Sequence, residues 1–97
     1  MKHFVVEIEY IIEIEEIANI RPMHRKFLDT GYEKGIILMS GPQSSGNGGI
    51  IIARANSKEE LMKFLDNDPY QINQAANYKY IEFDPRNHQQ ILSDWID

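Results

Sequence analysis

The sequence predicts an α+β fold of ferredoxin-like type, in the order β-α-β-β-α-β. Three observations predict it. Apolar and acidic residues alternate from Phe4. The period then lengthens to that of a helix twice, from about Glu15 and again from Ser57. Between these stretches, two short β-branched runs flank a glycine-rich turn. The expected architecture is a four-stranded antiparallel sheet with two helices on one face.

Strand one places Phe4, Val6, Ile8, Tyr10 and Ile12 on one face, and Val5, Glu7, Glu9, Ile11 and Glu13 on the other. Period two with β-branched residues and Tyr marks a strand with one buried face. A mostly polar second face suits an antiparallel sheet. Helix one is expected from roughly Glu15 to Lys34, because Ile17, Ile20, His24, Phe27, Leu28 and Gly31 recur at helical spacing. Gly35 is a good residue to end it. Pro22 lies inside this span, so a kink, or a main helix beginning at Pro22, is expected.

Strand two is Ile36 to Ser40, closed by Gly41-Pro42, and strand three is Gly49 to Ala55. Asn47-Gly48 is a tight-turn pair, so the two strands form a hairpin. Asn56 or Ser57 caps helix two; Ser57-Lys58-Glu59-Glu60 has the capping-box pattern, and Leu61, Phe64 and Leu65 form its apolar stripe. Asp66 to Pro69 ends that helix, and Pro69 to Ala76 has room for one or two helical turns. Tyr78 to Asp84 alternates as strand four. The tail after Pro85 carries Ile91, Leu92, Trp95 and Ile96, a pattern for a short amphipathic helix.

With 97 residues, the chain is expected to form one domain, a core of about 2–84 and an extension over 85–97. Hydrophobic residues at 42% and charged residues at 26% fit a globular protein. Fifteen acidic and ten basic residues give a net charge of -5. That disfavours nucleic acid and anionic membrane surfaces, both of which need clustered Lys and Arg. The absence of cysteine excludes disulfides, thiolate metal sites and a Cys nucleophile. Apolar runs of four residues fall far short of the roughly 20 that span a bilayer. One Lys followed by an acid-studded strand does not read as a signal peptide, so a cytoplasmic location is expected.

His24 sits on the apolar stripe of helix one. A titratable imidazole facing a sheet needs a partner. It is either a satisfied core histidine or a general base or acid. Asp68 is either a turn residue capping a helix that starts with Pro69, or a carboxylate that orients His24. Ser40-Gly41 either shapes the exit of strand two or offers a hydroxyl and a close backbone approach to a ligand. Gly46-Asn47-Gly48-Gly49 is not read as a phosphate loop, since it leads into a strand. His3, His24 and His88 lack metal-ligand spacing, so no metal is expected. Tyr78 and Tyr80 read as strand packing.

Arg21-Pro22-Met23-His24, Ser40-Gly41-Pro42 and Asp68-Pro69-Tyr70, in this order within this pattern, resemble the YciI-like (YCII-related) family. The resemblance covers about residues 2–84. It implies a dimeric α/β barrel, in which two sheets pack face to face in a homodimer. A bare sheet face in so small a chain points to the same pairing. The resemblance further implies a pocket with a paired His and Asp, matched here by His24 and Asp68. Ser40, Gly41, Pro42 and Tyr70 are then candidate substrate-binding residues. Members with assigned chemistry are lyases or dehalogenating enzymes acting on small ring compounds, related in fold to muconolactone isomerases. The expected function is therefore a small lyase or isomerase using a His–Asp pair for proton transfer on a small-molecule substrate, without a cofactor. The alternative is a non-catalytic small-molecule-binding or assembly module with His24 as a buried anchor.

Overall fold

The computed structural model of the protein describes residues 1–96. Strand β1 spans Lys2–Tyr10, β2 Ile37–Pro42, β3 Gly48–Ala55 and β4 Ala76–Phe83. They form one antiparallel sheet in the order β2-β3-β1-β4. The helices are α1 (Ile14–Glu33), α2 (Lys58–Leu65) and the single turn α3 (Pro69–Ile72). This is the ferredoxin-like α+β fold, with each main strand and helix within three residues of its expected bounds; the largest difference is at β1, which ends at Tyr10 rather than Glu13.

The alternation in β1 sets the layers. Phe4, Val6 and Ile8 are buried, with Ala53 and Ile51 of β3 beside them on the same face. Against that face pack Ile17 and Leu28 of α1, Leu61 and Leu65 of α2, and Tyr70 of α3. Fully burying one such aliphatic or aromatic side chain stabilises by about 1.5–3 kcal/mol. Helix α1 continues through Pro22 as one element. The carbonyl that proline leaves without a donor is that of Ala18, an exposed residue, so the orphaned acceptor is open to water rather than buried. Gly35, at φ 70°, ends the helix: its N–H donates to Tyr32 O and that of Ile36 to Gly31 O, a Schellman closure. Ser57 caps α2 by accepting from the Glu60 N–H at 3.1 Å.

A register shift in β2 positions part of the site. Ile37 pairs with Ala53, but Met39 pairs with Ile52, so Leu38 is an extra residue. The bulge reverses the alternation after it. Ser40 now pairs with Ile51 and shares the helix-covered face, where strict alternation from Ile37 would have turned it away.

The opposite face carries no α1, α2 or α3. Met39, Ile81 and Phe83 are exposed there, alongside Val5 and Ile52. The tail differs in detail from the expected amphipathic helix. A 3-10 turn, Gln90–Leu92, leads into the single turn α4, Ser93–Ile96, and Ile91 is exposed. Trp95 is the anchor: the Arg54 guanidinium lies 4.0 Å from its ring centre and donates to its carbonyl at 2.8 Å. Among the described residues no helix is long and apolar enough to cross a membrane.

Candidate active site

The 20-residue α1 and the short α3 meet above the sheet, and their contact joins the two residues singled out by chemistry. His24 lies three turns into α1, on the stripe that begins with Ile17. Asp68 is the N-cap of α3, and Pro69 occupies the first helical position. The Asp68 side chain is fully buried and accepts four contacts. His24 Nδ1 lies 2.8 Å from Oδ1 and 2.9 Å from Oδ2. The Tyr70 N–H donates to Oδ1 at 3.0 Å, and the Tyr78 hydroxyl donates to Oδ2 at 2.5 Å. A carboxylate only accepts, so Nδ1 carries a proton and Nε2 is the basic nitrogen. Among the described residues Nε2 has no protein partner.

Tyr70 fixes the imidazole plane. The two rings stack with centres 3.9 Å apart and 16° between planes. Tyr10 closes on Tyr70 edge-on at 5.6 Å, and Arg21 Nε donates to the Tyr70 hydroxyl at 3.4 Å. Asp68 holds one edge of His24 and Tyr70 one face, so the ring is oriented in two directions.

A cleft of about 480 Å³ opens beside His24, a size common for small-ligand sites. Ser40, Gly41, Pro42 and Tyr70 all line it. Asp68 does not; it stands behind the histidine. The Ser40 hydroxyl lies 2.6 Å from that of Tyr32, which locates it at the rim. The glycine-rich turn before β3 borders the cleft and leads into a strand. Gly48 is required there, because a Cβ would lie 1.7 Å from the Ile8 carbonyl oxygen.

Two features go beyond the sequence reading. Tyr78 does more than pack in a strand, since its hydroxyl is a donor to Asp68. Its place on the buried face of β4 was the available signal, since burial of a phenol favours a polar partner for its hydroxyl. Arg21 and Arg25 also line the cleft. Arg21 belongs to the first quoted motif, and its spacing was the available signal: four residues after Ile17 and three before His24, it shares their side of α1.

Burial holds the Tyr78 phenol far above its ordinary value, aided by the Asp68 charge. It therefore stays protonated and keeps donating. Burial likewise pushes Tyr80 up to about 12, with the Asp66 and Asp68 charges adding to it. In the unfolded chain both phenols ionise near 10. Their contribution to stability is complete below about pH 10 and is lost as pH rises toward the folded-state values. Denaturant midpoints at about pH 9 and about pH 11 should therefore fall in that order, and Tyr80→Phe should shrink the fall. An equal fall in both proteins would contradict this.

A sequence model of the YCII-related domain matches residues 1–84. The chain belongs to this family. Its match ends near the end of β4, so the tail with Trp95 lies outside the YCII-related region. Among solved structures, the chain is similar to 5-chloro-2-hydroxyhydroquinone dehydrochlorinase from Burkholderia phenoliruptrix, determined in complex with 2,5-dihydroxybenzoquinone. The TM-score is 0.66 at 18% identity, covering 92% of this chain and 97% of that one. At that identity the likeness concerns the fold. No curated protein matches the chain.

Proposed function

We propose that this YCII-related chain is a small lyase or isomerase in which His24 moves a proton on a small organic substrate. The observation that carries the reading is the His24–Asp68 pair: a buried carboxylate on Nδ1 and a free Nε2 on an imidazole that borders a cleft. In an elimination, Nε2 takes a proton from carbon. The C–H electron pair becomes the new π bond, and the leaving group departs with its own bonding pair. In an isomerisation the same proton returns to a different carbon. Asp68 keeps Nδ1 protonated and stabilises the imidazolium that forms. Ser40, held by Tyr32, offers a hydroxyl to a substrate oxygen on which charge develops.

The dehydrochlorinase with this fold guides the choice of compounds. Chlorinated hydroxyquinols, 5-chloro-2-hydroxyhydroquinone among them, and small unsaturated lactones should be incubated with the protein in deuterated buffer. Chloride release, or deuterium entering an acidic C–H position, faster than in buffer alone supports the reading. Binding of these compounds without exchange or release across the panel would favour the non-catalytic binding module.

We also propose that the chain works as one domain and as a homodimer paired through the open sheet face. Exposed Met39, Ile81 and Phe83 form an apolar patch there that water covers poorly. Light scattering at micromolar concentration should give about twice 11.3 kDa. A monomer mass would remove the dimer from the proposal.

A further inference from the structure

The cleft beside His24 has a charge unlike that of the chain. The protein as a whole carries -5. Yet the ionisable residues lining the cleft are Arg21, Arg25, His24, Tyr10 and Tyr70, with no Asp or Glu among its described lining. Arg21 and Arg25 are four residues apart on α1, so their side chains leave the same helix face. His24 lies on that face between them. Among the described residues neither guanidinium is ion-paired; the acidic partners in ion pairs are Glu82, Asp68 and Asp84, bound to Lys2, His24 and Arg86. Asp68, the carboxylate that holds His24, is sealed behind it and committed to three donors.

Two unpaired guanidiniums at the wall of a ring-sized cavity, in a chain with an excess of acids, select for an anion. The fork of a guanidinium matches a carboxylate with two parallel N–H···O bonds. Arg21 is partly preset for this. Its Nε is occupied by the Tyr70 hydroxyl, which holds the side chain and leaves the terminal nitrogens as donors. Tyr70 also stacks on His24, so the anchor for an anion and the base are fixed to the same ring.

We infer that the cleft takes small organic acids, with the substrate carboxylate held by Arg21 and Arg25 and the reacting carbon beside His24. This rests on the reading of the cleft as the substrate site, and it narrows that reading to anions. Charge held there has a chemical use as well. Removing a proton from carbon places negative charge on the substrate, and fixed cations stabilise such charge as it grows.

The test is a binding experiment that needs no turnover. Benzoate and crotonate are titrated beside benzamide and crotonamide, with ligand-observed NMR giving each dissociation constant. The acids should bind at least about tenfold more tightly than their amides, a difference typical of one charge-assisted contact. Added salt should weaken the acids and leave the amides unchanged. Arg25→Gln, at an exposed position, should erase most of the preference, and Arg21→Gln the same. In His24→Asn the preference should survive. Equal binding of acid and amide, no binding of either acid, or an unchanged preference in both arginine variants would each overturn the inference. So would loss of the preference in folded His24→Asn, because the selectivity would then belong to the histidine. A cleft that selects acids in a protein without exchange activity would keep this inference and discard the enzyme reading.

Discussion

His24→Asn should lower turnover by about 10²–10⁴-fold, the usual worth of a positioned general base, while the fold persists. Nε2 is the only unengaged nitrogen of an imidazole that Asp68 and Tyr70 hold in place. An asparagine at this position keeps an amide N–H within reach of the Asp68 carboxylate, so the buried acceptor is not stranded. It has no basic nitrogen to offer the substrate. Circular dichroism should match the parent protein, and deuterium exchange or halide release on the accepted compound should collapse. Substrate affinity should change far less, because the loss falls on the transition state rather than on binding. A folded His24→Asn protein with parental turnover would leave His24 as a core histidine and would favour the binding-module alternative.

The parts of this site that were legible in the sequence are those set by local pattern. Alternation from Phe4 to Tyr10 fixed the buried face of β1, and 3.6-residue spacing placed His24 on the inner stripe of α1. Asp68 before Pro69 read as a helix cap, which it is. Once two helices must share one sheet face, the meeting of His24 and Asp68 is a natural consequence of the fold. What local pattern does not carry is pairing between distant elements. Tyr78 is ten residues from Asp68, on a strand whose register against Ile8 decides where its hydroxyl ends. Ser40 reaches the helix-covered face only through the bulge at Leu38, and nothing in Ile36-Ile37-Leu38-Met39 marks one residue as extra. The tail was legible in part: helical turns form over Gln90–Leu92 and Ser93–Ile96, as its pattern suggested. Its apolar residues suggested a helical stripe, but Ile91 faces water and Trp95 is held by a cation from β3. That contact joins residues 54 and 95, beyond the reach of any periodicity.

Asp68→Asn separates the two roles that Asp68 fills at once. Asn is as good an N-cap as Asp, so the bond from the Tyr70 N–H survives in this variant. That backbone donor cannot turn, and it fixes the side-chain oxygen at the Oδ1 position. The amide NH2 then takes the place of Oδ2, where it faces the Tyr78 hydroxyl and His24 Nδ1. Tyr78 can rotate its hydroxyl to accept. His24 cannot be satisfied so simply, because half of its acceptor has become a donor and the counter-charge for an imidazolium is gone. Were Asp68 only the residue that starts α3, Asp68→Asn would be neutral in both stability and turnover. Because it also holds His24, stability should fall by about 1.5–3 kcal/mol, the worth of a hydrogen bond to a charged group. For a domain of this size that is roughly 6 °C or more in Tm. Turnover should drop by about 10²-fold or more, as expected for a base that has lost its orienting carboxylate. Asp68→Ala should cost more stability, about 3–5 kcal/mol, because it strands a buried pair and removes the cap as well. The order parent, Asn, Ala in thermal unfolding, with turnover already lost at Asn, is the signature of a carboxylate that serves the histidine. Parental turnover in a stable Asp68→Asn protein would reduce Asp68 to a turn residue and leave His24 without its partner in catalysis.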